Sequence, residues 1–90
     1  MAEISVNRTS IETCLWHIER HLIDNYGTTV AAEDMAPLNW YIYSGRAPTD
    51  FIRRLMYAKP FMVARKLHMG GSHQEVVDRI KKYIGWEDEP

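Results

Sequence analysis

Residues 51–69 read FIRRLMYAKPFMVARKLHM, and the way this stretch is divided decides the fold. It is rich in helix formers, but Pro60 lies inside it. A proline there has no N–H to donate to Met56, and its ring crowds that carbonyl. A single straight helix would also place Lys59 and Lys66 in the middle of the apolar arc shared by Phe51, Ile52, Leu55 and Val63. Dividing the stretch at Lys59-Pro60 removes the conflict and puts Pro60 in the first turn of a new helix, where the missing N–H has no partner to lose. The spacing predicts two short helices, about 50–58 and 60–69, meeting at a bend; one kinked helix is the alternative. Ala47-Pro48-Thr49-Asp50 reads as the entrance, with Thr49 or Asp50 able to cap.

On either side the helix signals are stronger. Ser72-His73-Gln74-Glu75 has a hydroxyl followed three residues later by a carboxylate, the capping-box spacing in which each side chain satisfies a free backbone N–H. Val76, Ile80, Tyr83 and Ile84 then share one face, with Asp78, Lys81 and Lys82 opposite, and Gly85 stops the helix, predicted over about 73–84. At the other end, Thr9-Ser10-Ile11-Glu12 repeats the capping pattern. Ile11, Leu15, Ile18 and Leu22 form an apolar stripe, and Gly27 offers a left-handed terminus, which predicts a helix over about 10–25. Residues 29–44 read two ways. A helix from Val30 to Met35, capped by Thr29, would end near Ala36-Pro37 because the residue before proline avoids helical geometry. Trp40-Tyr41-Ile42-Tyr43 favours strand by propensity, which leaves a possible short extended segment near 39–44 whose only candidate partner is Ile4-Ser5-Val6. The expected fold is all-α, one compact domain of four to five short helices spanning residues 1–90.

Composition narrows the function classes. Ninety residues, 46% hydrophobic and 26% charged, suit one globular domain and exclude a disordered chain. One cysteine cannot make an internal disulfide, which excludes a disulfide-stapled scaffold. No apolar run approaches the length of a membrane span, and the start Met1-Ala2-Glu3-Ile4-Ser5 lacks the pattern of a secretory signal, so a cytoplasmic protein without membrane contact is expected.

The overall charge of −1 conceals an asymmetry. Between Arg46 and His68 stand Arg46, Arg53, Arg54, Lys59, Arg65 and Lys66 against the single acid Asp50, while acids gather at Glu33-Asp34 and Glu87-Asp88-Glu89. Such a distribution steers a polyanion or an acidic protein face. Arginine's planar fork suits phosphate or carboxylate. Tyr41, Tyr43 and Tyr57, nearby in sequence, offer rings on which bases could stack. The competing reading is a solvated helix back whose cations pair with acids of the first helix.

Three further constellations deserve weighing. Cys14, His17 and His21 fall on one side of the first helix, a weak Zn²⁺ set without an evident fourth ligand; a half-buried cysteine with marginal histidines is the plainer reading, and no cofactor is expected. Neither Cys14 with a histidine nor Gly70-Gly71-Ser72 carries the third group or fingerprint that catalysis or phosphate binding requires, so the chain is not expected to be an enzyme. Trp16 and Ile23 lie roughly 100° from the main stripe of the first helix, and with Trp40, Trp86 and several methionines they supply either a wide core or a self-association patch, including a homodimer.

Gly45-x-x-Pro48-x-x-Phe51-Ile52-Arg53, with Ala64-x-x-Leu67 and Gly85-Trp86 later, loosely resembles the C-terminal half of AraC-type DNA-binding domains over about 40 residues. The Ala64 and Gly85 positions fall several residues late, and the segment between Ala36 and Gly45 is too short for that family's first recognition helix, so no functional residue is carried over. Two partner classes follow. A non-enzymatic regulator would engage nucleic acid through segment 46–66, with Arg46, Arg53, Arg54, Lys59, Arg65, Lys66 and Tyr57 in contact. Alternatively, a small adaptor or inhibitor of phage or plasmid type would block an acidic functional surface of another protein.

Overall fold

Leu22, Ala31, Leu38, Phe51, Val63, Val77 and Ile80 are each withdrawn from solvent, and together they draw residues from every helix into one core. The computed structural model describes residues 6–86. Over that span it contains α1 (Arg8–Tyr26), α2 (Thr28–Tyr43), α3 (Thr49–Tyr57), α4 (Pro60–His68) and α5 (His73–Ile84), with no strand among the described residues. The all-α expectation holds. α1 packs against both α2 and α4, and α5 packs against the same two, so the four close a ring in the order α1-α2-α5-α4. The shorter α3 leans on α1 and α5.

The division at Lys59-Pro60 is present as expected. Ala58 and Lys59 are extended, Pro60 opens α4, and the Lys59 carbonyl accepts from the amides of Met62 and Val63. α5 starts where the sequence places it: Ser72 Oγ accepts from the Glu75 amide at 3.2 Å, and Glu75 Oε1 accepts from the Ser72 amide at 2.9 Å. Hydrogen bonding from Ser72 to the ionised carboxylate, its amide first and its hydroxyl second, holds the Glu75 carboxyl below its usual value. Its end is a left-handed Gly85 at φ 77°, with the Trp86 amide donating back to the Lys81 carbonyl at 2.9 Å.

Three expectations need correction. The α1 cap lies earlier than Thr9-Ser10: Asn7 Oδ1 accepts from the Ser10 amide at 2.9 Å and Ser10 Oγ accepts from the Asn7 amide at 3.0 Å, an equivalent reciprocal box with Asn7 outside the helix. Residues 29–44 are neither a helix ending at Pro37 nor an extended segment at 39–44, but one helix from Thr28 to Tyr43 with Pro37 inside. Burial decides this: Ala31, Met35, Pro37, Leu38, Tyr41 and Ile42 all face the core, and only helical spacing brings them to α1 and α5 together. The carbonyl deprived of its donor belongs to Glu33, an exposed residue. Ile4 and Ser5, the proposed partner strand, lie outside the described residues. Finally, Lys81 is not on a solvated face. It is buried, and its ammonium stands 5.1 Å from the centre of the Tyr41 ring.

One side chain sets the α4–α5 corner. Arg79 Nη1 donates to the Lys66 carbonyl at 2.9 Å and Nη2 to the Gly70 carbonyl at 2.8 Å, satisfying carbonyls at the end of α4 from within α5. Gly70 and Gly71 make the turn with φ of 78° and 117°, values that side-chain-bearing residues avoid. The Gly70-Gly71-Ser72 segment is thus an inter-helix turn whose Ser72 amide is already bonded to Glu75.

Candidate interaction surface

Among the described cations, three arginines pair with a carboxylate of their own helix, whereas others, Arg46, Arg79 and Lys82 included, have none. Arg8 pairs with Glu12 at 3.6 Å, Arg20 with Asp24 at 3.2 Å and Arg53 with Asp50 at 3.0 Å, each with an acid three or four residues away on its own helix. Arg53 is therefore paired within its own helix, with its side chain one third exposed and its Nε buried without a hydrogen-bond partner. Arg54, Lys59, Arg65 and Lys66 have no carboxylate partner among the described residues; Arg54, Arg65 and Lys66 instead meet a carbonyl or a ring.

These four border one strip running along α3, α4 and the end of α5. Arg54 leaves the last turn of α3 and donates Nη1 to the Gly85 carbonyl at 3.1 Å, a cation at the negative end of α5. Its guanidinium also stands 5.8 Å from the Trp86 ring. With Tyr57, Ala58, Tyr83 and Ile84 it lines a groove between α3 and α5. Lys59 follows Ala58 directly and is exposed; Lys66 lies two turns further along α4, on the same side, with Nζ 6.0 Å from the Tyr83 ring. Lys66 and Arg65 line the next groove with Tyr26, Met62, His68 and Met69. Arg65 rests 5.8 Å from the Phe61 ring. Tyr57, 65% exposed, projects beside this cationic row.

Arg46 does not join the strip. It lies 4.8 Å above the Trp40 ring, and Trp40 packs against His73 at the start of α5, away from Arg54 at that helix's other end. Of the three tyrosines weighed for base stacking, Tyr41 is buried edge-on against Phe51, and Tyr43 stands on the α1–α2 side; Tyr57 alone is at the strip. Sequence reading missed Tyr83 and Trp86. Tyr83 shares the apolar face of α5, and only the packing of α3 across that helix reveals that its ring borders a groove.

Cys14, His17 and His21 are directed to different neighbours. Cys14 and His17 border a groove with Met56, His17 meets the Trp16 ring edge-on at 5.1 Å, and His21 meets Phe61 at 5.8 Å. Burial pushes the Cys14 thiol up to about 11, so it is neutral at ordinary pH and a poor nucleophile or ligand. Among the described residues no group of three or more His, Cys, Asp and Glu is placed to hold a metal ion. Of the self-association candidates, Trp16 is exposed while Ile23 is half-buried against the core. No described helix is long and apolar enough to cross a membrane. Compared with protein-family models, curated proteins and solved structures, the chain matches none.

Proposed function

We propose that the protein is a non-enzymatic binding protein that grips the phosphate backbone of a nucleic acid with the α3–α4–α5 strip, in a regulatory role. The observation that carries this reading is the sorting of cations: those elsewhere on α1 and α3 are paired with acids, whereas Arg54, Lys59, Arg65 and Lys66 are left without a carboxylate along one face. Cations held by rings and carbonyls keep their charge available to an incoming anion. Tyr57 adds an exposed ring on which an unpaired base stacks, which favours single strands over duplex.

Counterion release makes the reading quantitative. Four phosphate contacts to a single strand give a log–log salt slope of about −2.8, so a fourfold rise in salt weakens binding about 50-fold. Anisotropy of a labelled single-stranded oligonucleotide at two salt concentrations measures this. Lys59→Ala with Lys66→Ala halves the slope, and the same salt step then costs only about 7-fold. Absence of binding at low salt eliminates the reading.

One observation favours the second partner class. Phe61 and Met69, beside Arg65, are 43% and 66% exposed, and apolar anchors of this kind serve a protein interface, not a phosphate chain. An adaptor or inhibitor covering an acidic protein surface would lose most affinity on Tyr57→Ala or Phe61→Ala and bind no oligonucleotide.

A further inference from the structure

Away from the basic strip, on residues it does not share, the molecule carries a complementary feature. In the ring order α1-α2-α5-α4, the α1–α2 seam lies across the core from the α4–α5 seam. A groove runs along it, with Trp16 and Tyr43 at its rims, Leu15 and Met35 beneath, and Glu12 and Glu19 on its α1 side. Trp16 is 55% exposed and Tyr43 58%, although each could have been spent on a core of this size. Glu12 shares only a loose, exposed pair with Arg8 at 3.6 Å, and Glu19 has no cation partner among the described residues. Two aromatic faces flanked by carboxylates form a receptor for an ammonium or guanidinium group, which gains both the ring quadrupole and the opposite charge.

We propose that this groove receives the basic strip of a second copy, so that the protein associates head to tail. Charge complementarity identifies the occupant: each chain presents Arg54, Lys59 and Lys66 with an exposed Tyr57 on one side and Glu12 and Glu19 with Trp16 and Tyr43 on the other. The net charge of −1 leaves little long-range repulsion between copies. Because the two surfaces differ, the contact is heterologous, and it continues into a chain or closes into a ring instead of stopping at a symmetric dimer. The inference does not depend on nucleic-acid binding, though a bound polyanion would occupy the strip and compete with the second copy.

Sedimentation velocity over a range of protein concentrations at low and high salt tests this. Wild-type protein is expected to form concentration-dependent species larger than a dimer at low salt and to dissociate at high salt. Trp16→Ala with Glu19→Lys removes the receiving groove, and Lys59→Glu with Lys66→Glu removes the strip; each variant alone should be monomeric. Mixed, they should form a one-to-one dimer, because each retains the surface that the other lacks. A wild type that stays monomeric at every concentration overturns the proposal, as does a mixture that stays monomeric or a single variant that still pairs with itself. Circular dichroism melts establish that both variants are folded, and Glu19→Lys and Lys59→Glu as single changes replace either pair that is not. The receiving-groove variant keeps the entire strip and so retains any oligonucleotide affinity, which separates failure here from failure of the nucleic-acid reading.

Discussion

Replacing Pro37 by alanine should stabilise the protein, an unusual outcome for a buried residue. Pro37 lies in the interior of α2, the tenth residue of the helix, with its ring in the core. In that position proline is about 3 kcal/mol worse than alanine, through the missing N–H and the clash with the preceding turn. Against this, the substitution removes two buried methylenes, worth roughly 0.8 kcal/mol each, plus part of the cavity they leave. The balance is a gain of about 1 kcal/mol, or a rise of about 4–8 °C in Tm for a domain of this size. Thermal and urea denaturation followed by far-UV circular dichroism read it directly. Leu38→Ala is the contrast: the neighbouring side chain is completely buried, and its truncation should cost about 2–5 kcal/mol. Hydrogen exchange adds a local check, since the new amide at position 37 should bond to the Glu33 carbonyl and become protected. A variant less stable than wild type, or an amide at 37 that exchanges freely, would refute both the estimate and the continuity of α2 through this point.

Other outcomes follow from the caps and the thiol. Ser72→Ala removes the α5 cap acceptor and should cost about 1 kcal/mol in urea denaturation. The Glu75 carboxyl is lowered in the folded protein, so its contribution to stability is present above the unfolded carboxylate range and is lost as pH falls through the lower folded value; Glu75→Gln should flatten the acid limb of a stability–pH profile. With the Cys14 thiol pushed up to about 11 from 9.0, the thiolate population falls about 100-fold, and alkylation by iodoacetamide near neutral pH should be slower than for a free thiol by about that factor until denaturant is added.

The parts of the fold that were legible in the sequence are those that local chemistry alone determines. Ser72 and Glu75 cap α5, Pro60 separates α3 from α4, and the Ile11–Leu22 stripe marks the buried face of α1, because each effect operates within one or two turns. Elsewhere two local signals tied and tertiary packing chose. Thr9-x-x-Glu12 and Asn7-x-x-Ser10 have equal spacing, and in the folded protein it is Asn7 and Ser10 that close the box. Trp40 to Tyr43 prefer strand by propensity, yet Tyr41 and Ile42 find burial only as α2 crosses α5. The same division runs through the candidate site. The Arg53–Asp50 pair has helical spacing and was readable in principle, whereas Arg54 meets Gly85 across 31 residues of sequence. Lys81 was misplaced because a helical wheel knows nothing of the tyrosine on the neighbouring helix.

The clamp made by Arg79 has a mechanical consequence. By bonding the Lys66 carbonyl of α4 and the Gly70 carbonyl of the following turn from a residue rooted in α5, it ties the two helices together beside Lys66 and Tyr83. If the proposed strip binds its ligand at this edge, the contacts would already be in register, and little conformational freedom would be surrendered on the protein's side. Under the proposed binding role, loosening the joint with Arg79→Lys should therefore weaken binding chiefly by hastening release.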